Sequence, residues 1–220
     1  MTPKEHLMRE LMQEGVLKSP RSIDAFLAID RADFVPDEVK GYAYMNEALS
    51  IGWGQTISQP SVVAFMLELL DPQPNEKILD IGCGSGWTTA LLTHMAGEKG
   101  KVFGIEIIPE LAEHARKNVS RYNFLEKGRA HIITGDGAQG CSEEAPFDKI
   151  LVSASLQVTE IPGAWSEQLR VDGKIVLPIK NSIWMFQKTG RSGSEDPSGS
   201  KRDATFLKKE YPGFVFVPFK

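Results

Sequence analysis

Five short apolar runs punctuate the middle of this chain, and most are separated from the next by a helix-forming stretch. They are KILDI (Lys77 to Ile81), KVFGIE (Lys101 to Glu106), AHIIT (Ala130 to Thr134), DKILVSA (Asp148 to Ala154) and KIVLPI (Lys174 to Ile179). Helical patterns run from the glycine-rich loop to Met95, from Pro109 to Tyr122, and from about Pro162 to Leu169. Strands that alternate with helices of this length imply a parallel sheet covered on both faces, because a parallel crossover needs a helix to return the chain. Ahead of the first strand, Thr2 to Ile29 reads as two short helices, the second opened by Ser19 and Pro20. Asp30 to Gln59 reads as irregular, and Pro60 opens an apolar helix that ends near Asp71. Toward the end, WMFQKT and FVFVPF read as antiparallel edge strands, joined by a mobile surface loop over Arg191 to Asp203.

A chain of 220 residues, 41% hydrophobic, buries a core without disulfides or metals. Cys83 and Cys141 lie far apart and show no ligand spacing, so no metal site is expected. The formal charge of −4, with both signs interspersed, offers no basic stripe for nucleic acid. No stretch has the length of a membrane span and the N-terminus lacks a signal-peptide core, so a cytoplasmic protein is expected.

The sharpest chemical signal is Asp80-Ile81-Gly82-Cys83-Gly84-Ser85-Gly86, where a strand gives way to a helix. Glycines there let the backbone turn tightly and approach a ligand, and the helix that follows offers free N–H groups to a carboxylate. Asp80 would face a cationic amino group. Glu106 closes the next strand, where an acid can accept from two ribose hydroxyls, and Asp136-Gly137 follows the third, where it would border an adenine. Taken singly, each is open to a plainer reading as a turn or loop. This loop does not follow the dinucleotide pattern GxGxxG: its glycines fall at every second position, an acid precedes them by two, and residue 87 is Trp. That favours S-adenosyl-L-methionine over NAD. The expected cofactor contacts are Asp80, Gly82, Cys83, Gly84, Ser85, Glu106, Ile107, Asp136 and Gly137. The fold expected is Rossmann-like: a doubly wound, mostly parallel sheet with helices on both faces, an N-terminal helical extension and antiparallel C-terminal edge strands.

Upstream, Gly54-Gln55-Thr56-Ile57-Ser58-Gln59-Pro60 precedes the apolar helix. Ser58 is either a helix cap or a functional hydroxyl. At this point the sequence resembles the protein-L-isoaspartate O-methyltransferases. The matching text is GQTISQP (Gly54 to Pro60), ILDIGCGSGW (Ile78 to Trp87), GDG (Gly135 to Gly137), EEAPFDKILV (Glu143 to Val152) and QLRVDGKIVLPI (Gln168 to Ile179). The resemblance implies methyl transfer to the carboxylate of an isoaspartyl residue in damaged proteins, with Ser58 at the transfer site and Gln55, Thr56 and Ile57 on the substrate side. It implies one methyltransferase domain over 1–220: helices and substrate-side loop at 1–59, cofactor-binding core at 60–180, and edge strands at 181–220. A monomer acting on peptides and proteins is expected.

Departures from the family pattern fall mainly on the substrate side. Asn46 and Ser50 stand for Asp and Pro, Trp53 for a smaller or varied residue, Ser153 to Leu156 for an alanine-rich run, and Asp172 and Lys180 each for glycine. Those at Asn46 and Ser153 to Leu156 keep open a methyltransferase of this fold with a small-molecule or RNA acceptor; a third reading is a cofactor-binding protein without catalysis, in which Ser58 is only a cap. His6, His94, His114 and His131 are read as surface or helix-flank residues, Cys83 as structural, and Trp87, Trp165 and Trp184 as packing.

Overall fold

The computed structural model describes residues 1–157, 160–190 and 204–214. Helix α1 (Pro3–Gln13) opens on a capping box in which Thr2 and Glu5 each accept the other's backbone N–H. Helix α2 (Pro20–Ala28) is capped by Ser19 ahead of Pro20. The stretch expected to be irregular instead contains two 3-10 turns, Arg31–Phe34 and Asp37–Tyr42, and a hairpin of β1 (Leu49–Gly52) and β2 (Gln55–Ile57). Strands of four and three residues, with only Ile51 and Ile57 buried, are too short to show a period of two.

Helix α3 (Pro60–Leu70) buries Val63, Ala64, Leu67 and Leu70 and stops where Asp71 turns left-handed. The alternating part follows: β3 (Lys77–Ile81), α4 (Trp87–Ala96), β4 (Lys101–Glu106), α5 (Pro109–Ser120), β5 (Ala130–Thr134), β6 (Phe147–Val152), α6 (Gly163–Gln168) and β7 (Leu169–Ile179). The chain then runs into β8 (Ser182–Lys188) and β9 (Phe206–Pro212). One sheet joins them in the order β5-β4-β3-β6-β7-β8-β9, parallel through β7 and antiparallel at β8 and β9. The strand on the outer side of β8 is thus FLKKEYP, whose mostly exposed, charged residues gave no strand signal. The expected loop at 191–203, and all of FVFVPF after Phe214, lie outside the described residues.

Alternating side chains send Ile78, Val102, Ile132, Leu151 and Val176 into one core, under helices α1 to α5. Leu79, Phe103, Ile105, Ile150 and Leu177 enter the other, where Trp165 of α6 is fully buried. Both faces are covered, the second by much less helix. At the amino ends of the strands a charged cluster closes the sheet. Lys149 Nζ and Arg170 Nη2 each lie 3.8 Å from Glu76 Oε1, Arg170 also pairs with Asp148, and Asp148 Oδ2 accepts the Lys77 N–H at 2.5 Å. Among the described residues, no helix is long and apolar enough to cross a membrane.

Candidate active site

From β3 the chain goes outward one way through β4 and β5 and the other way through β6 and β7. The carboxyl ends of the strands part at that switch, where a parallel sheet of this kind leaves a crevice. A cavity of about 340 Å³ lies there. Its walls are the glycine loop from Ile81 to Ser85, Trp87 and Thr88 of α4, Glu106 to Ile108, Gly137, Ser153 and Ala154, and the stretch from Gln55 to Gln59 with Ala48 and Val62. Every site residue expected from sequence lines it except Asp80 and Asp136.

The loop owes its shape to left-handed backbone. Gly84 has φ of 56°, and a Cβ there would stand 3.5 Å from Ile51 Cδ1 of the hairpin. Gly86, at φ of 90°, caps α4 without a side chain, and a Cβ on it would meet Val119 Cγ2 at 2.8 Å. The first N–H groups of α4 consequently have no side-chain cap. Glu106 turns toward the loop: its two carboxylate oxygens accept from Gly84 N–H and Ile108 N–H, each at 3.0 Å. A carboxylate oxygen has room for more than one donor.

Asp80 is fully buried behind the lining. Its Oδ2 accepts from Thr88 Oγ1 at 2.7 Å and Thr89 Oγ1 at 2.6 Å, and among the described residues Oδ1 has no hydrogen-bond partner. Burial pushes its carboxyl up to about 6, against the lowering effect of the two hydroxyls, with Glu106 adding a smaller raise. Because the Thr88 proton is committed to Asp80, its oxygen is left as an acceptor at the crevice wall. Asp136 is exposed and caps the 3-10 turn Gly137–Gln139, accepting the Ala138 N–H at 2.9 Å, while Trp165 Nε1 donates to Gly137 O at 2.8 Å. The Cys83 thiol is buried and pushed well up, so this residue offers backbone rather than a nucleophile.

Ser58 does not cap α3. The first free N–H of that helix, on Ser61, is accepted by Asn46 Oδ1 at 3.0 Å, and Asn46 Nδ2 donates to Glu10 Oε1 at 3.1 Å. Among the described residues the Ser58 hydroxyl has no protein partner, and it lines the crevice. Its carbonyl is held by Arg31, whose buried guanidinium donates to the carbonyls of Ser58 (3.0 Å), Glu47 (2.9 Å) and Ala43 (2.7 Å) and lies over the Trp87 ring. Burial lowers that guanidinium to about 10.

The model of the Protein-L-isoaspartate(D-aspartate) O-methyltransferase family matches residues 1–208. The chain belongs to this family. A Methanopyrus kandleri relative named Protein-L-isoaspartate O-methyltransferase is 36% identical over 219 residues, covering 98% of this chain and 90% of that one. A solved structure named protein-L-isoaspartate O-methyltransferase shares 26% identity with a TM-score of 0.82, covering 98% of this chain and 65% of that one. A Plasmodium falciparum structure described by the same activity, in complex with S-adenosyl-L-homocysteine, shares the fold at 23% identity with a TM-score of 0.81, covering 100% and 99%.

Within this isoaspartate methyltransferase family pattern, the substitution at Asn46 has a structural account. A carboxylate at residue 46 could cap α3 but could not donate to Glu10, whereas the amide does both. Sequence reasoning missed Thr88, Val62, Ala48 and Arg31. Thr88 was legible in hindsight as a hydroxyl one residue into the helix behind an acid, while Arg31 reaches the site only through the tertiary fold.

Proposed function

We propose that this chain transfers the methyl group of S-adenosyl-L-methionine to the free carboxylate of L-isoaspartyl residues in damaged proteins. One observation carries the reading: a single crevice brings the glycine loop and Glu106 together with a serine hydroxyl that no group among the described residues engages. The residues fit such a cofactor. The uncapped end of α4 suits its carboxylate, the Thr88 oxygen backed by the Asp80 carboxylate, whose Oδ1 has no partner among the described residues, suits its ammonium, Glu106 suits its ribose, and the turn at Asp136-Gly137 borders its base. When bound, the cofactor supplies an electrophilic methyl group on a sulfonium.

The chain's own residues have a short list of tasks. An acceptor carboxylate, with a reference pKa near 4, is ionised at neutral pH, so no general base is needed. Ser58 Oγ donates to one acceptor oxygen and aims the other. Arg31 fixes Ser58 through its carbonyl and adds positive charge behind the loop. Ile57, Val62, Trp87 and Ala154 supply apolar wall that excludes water, which raises the worth of each charge inside. The formal charge of −4 and the absence of a basic stripe support a peptide acceptor over nucleic acid, and the reading extends to a monomer in the cytoplasm.

The test pairs labelled S-adenosyl-L-methionine with an isoaspartyl peptide and its aspartyl twin, and counts base-labile methyl ester. Ester on the isoaspartyl peptide alone is expected. Label on neither peptide, with label on RNA or metabolites, would replace the acceptor. Ser58→Ala should lower turnover about tenfold or more, the worth of a hydrogen bond to a charged group, while leaving cofactor affinity within twofold.

A further inference from the structure

We propose that Trp53 is a positioning residue for the cofactor: it clasps the β1–β2 hairpin across the crevice by closing on His114, and so slows release of the bound nucleoside. The inference rests on the crevice being the S-adenosyl-L-methionine site.

Trp53 occupies an unlikely place for a large side chain. It sits in the two-residue turn between Gly52 and Gln55 at φ of 52°, and its neighbour Gly54 is at φ of 68°. Asn, Asp or Gly is what such a turn favours, since a left-handed backbone presses Cβ against the next carbonyl. Trp53 is nevertheless 43% exposed, so burial in the core does not repay that strain. What it gains is an edge-to-face contact with His114 at 5.0 Å between ring centroids. His114 stands on α5, the helix that begins just after Glu106, Ile107 and Ile108 have passed the crevice.

The path of the hairpin gives that contact its purpose. Ile51 packs onto Gly84 of the glycine loop, Gln55 and Ile107 line the crevice, and the tip reaches the helix beyond Glu106. The hairpin therefore runs from the loop that takes the cofactor's amino-acid end toward the side that takes its ribose. Gly52 and Gly54 flank the indole at positive φ with open space where a Cβ would stand, which leaves the tip free to pivot once the rings part. An aromatic pair is strong enough to bias the closed arrangement and weak enough to open in each catalytic cycle.

The experiment measures release of tritiated S-adenosylhomocysteine, chased with unlabelled ligand, from the wild type, Trp53→Gly, His114→Ala and the double variant. Glycine suits the left-handed turn, so Trp53→Gly should fold with a melting temperature no lower than wild type. Each single variant is expected to release ligand about three- to tenfold faster, the range of one aromatic pair. The double variant should release no faster than the faster single, because the two rings form one clasp. Wild-type release from both singles would overturn the clasp while leaving the cofactor site intact, as would multiplied effects in the double variant. A wild type that binds no S-adenosylhomocysteine by calorimetry would overturn the cofactor site and the clasp together.

Discussion

Asp80 and Thr88 show how a buried acid can act on a crevice it does not line. With its carboxyl raised to about 6 by burial, Asp80 costs the folded state stability above that pH and returns it as the pH falls toward 4. An ammonium held against the Thr88 oxygen favours the ionised acid, so binding draws the proton off and affinity weakens below about pH 6. Calorimetry with S-adenosylhomocysteine should show a dissociation constant about fourfold larger at pH 5.5 than at pH 7.5, and Asp80→Asn should flatten that dependence. A slope that survives in the variant would assign the titration elsewhere. Of the single residues the sequence singled out, Gly82, Gly84, Glu106 and Gly137 line the crevice, because strand ends in a parallel sheet converge wherever the order reverses. Asp80 and Asp136 do not line it, since a motif gives position along the chain and not which way a side chain turns.

At the scale of elements, legibility followed length and periodicity. The limits of β3, β4 and β5 agree with the apolar runs that announced them, whereas the short β1–β2 hairpin and the charged β9 left no pattern to read. Departures from the family pattern were informative in a different way. Asp172 and Lys180, each in place of a usual glycine, both have left-handed backbone, at φ of 66° and 52°. Lys180 lies in the tight turn between β7 and β8, where Ile179 pairs with Ser182. Lys180→Gly should raise stability by about 0.5–1 kcal/mol, the relief of left-handed strain less the entropy glycine adds to the unfolded chain. Chemical denaturation measures it, and a loss of stability would mean that the Lys180 side chain contributes more than its backbone costs.

Across the whole molecule, the two ends of the sheet have separate tasks. The amino ends carry Glu76, Lys149, Asp148 and Arg170, while the carboxyl ends open the crevice. Burial raises the Glu76 carboxyl, against the Gln73 N–H and the Lys149 charge, and lowers the Lys149 ammonium, against the Glu76 charge. Glu76→Gln strands that lysine and should cost about 3 kcal/mol, lowering the melting temperature by roughly 6–12 °C, while the dissociation constant for S-adenosylhomocysteine stays within twofold. A matching loss of ligand affinity would show the two ends to be coupled. A five-residue strand spans about 16 Å, roughly twice the distance over which physiological salt damps a surface charge. Tethers, dyes or surface-immobilisation chemistry attached at the charged pole would therefore leave the opposite pole electrically undisturbed and open to its peptide.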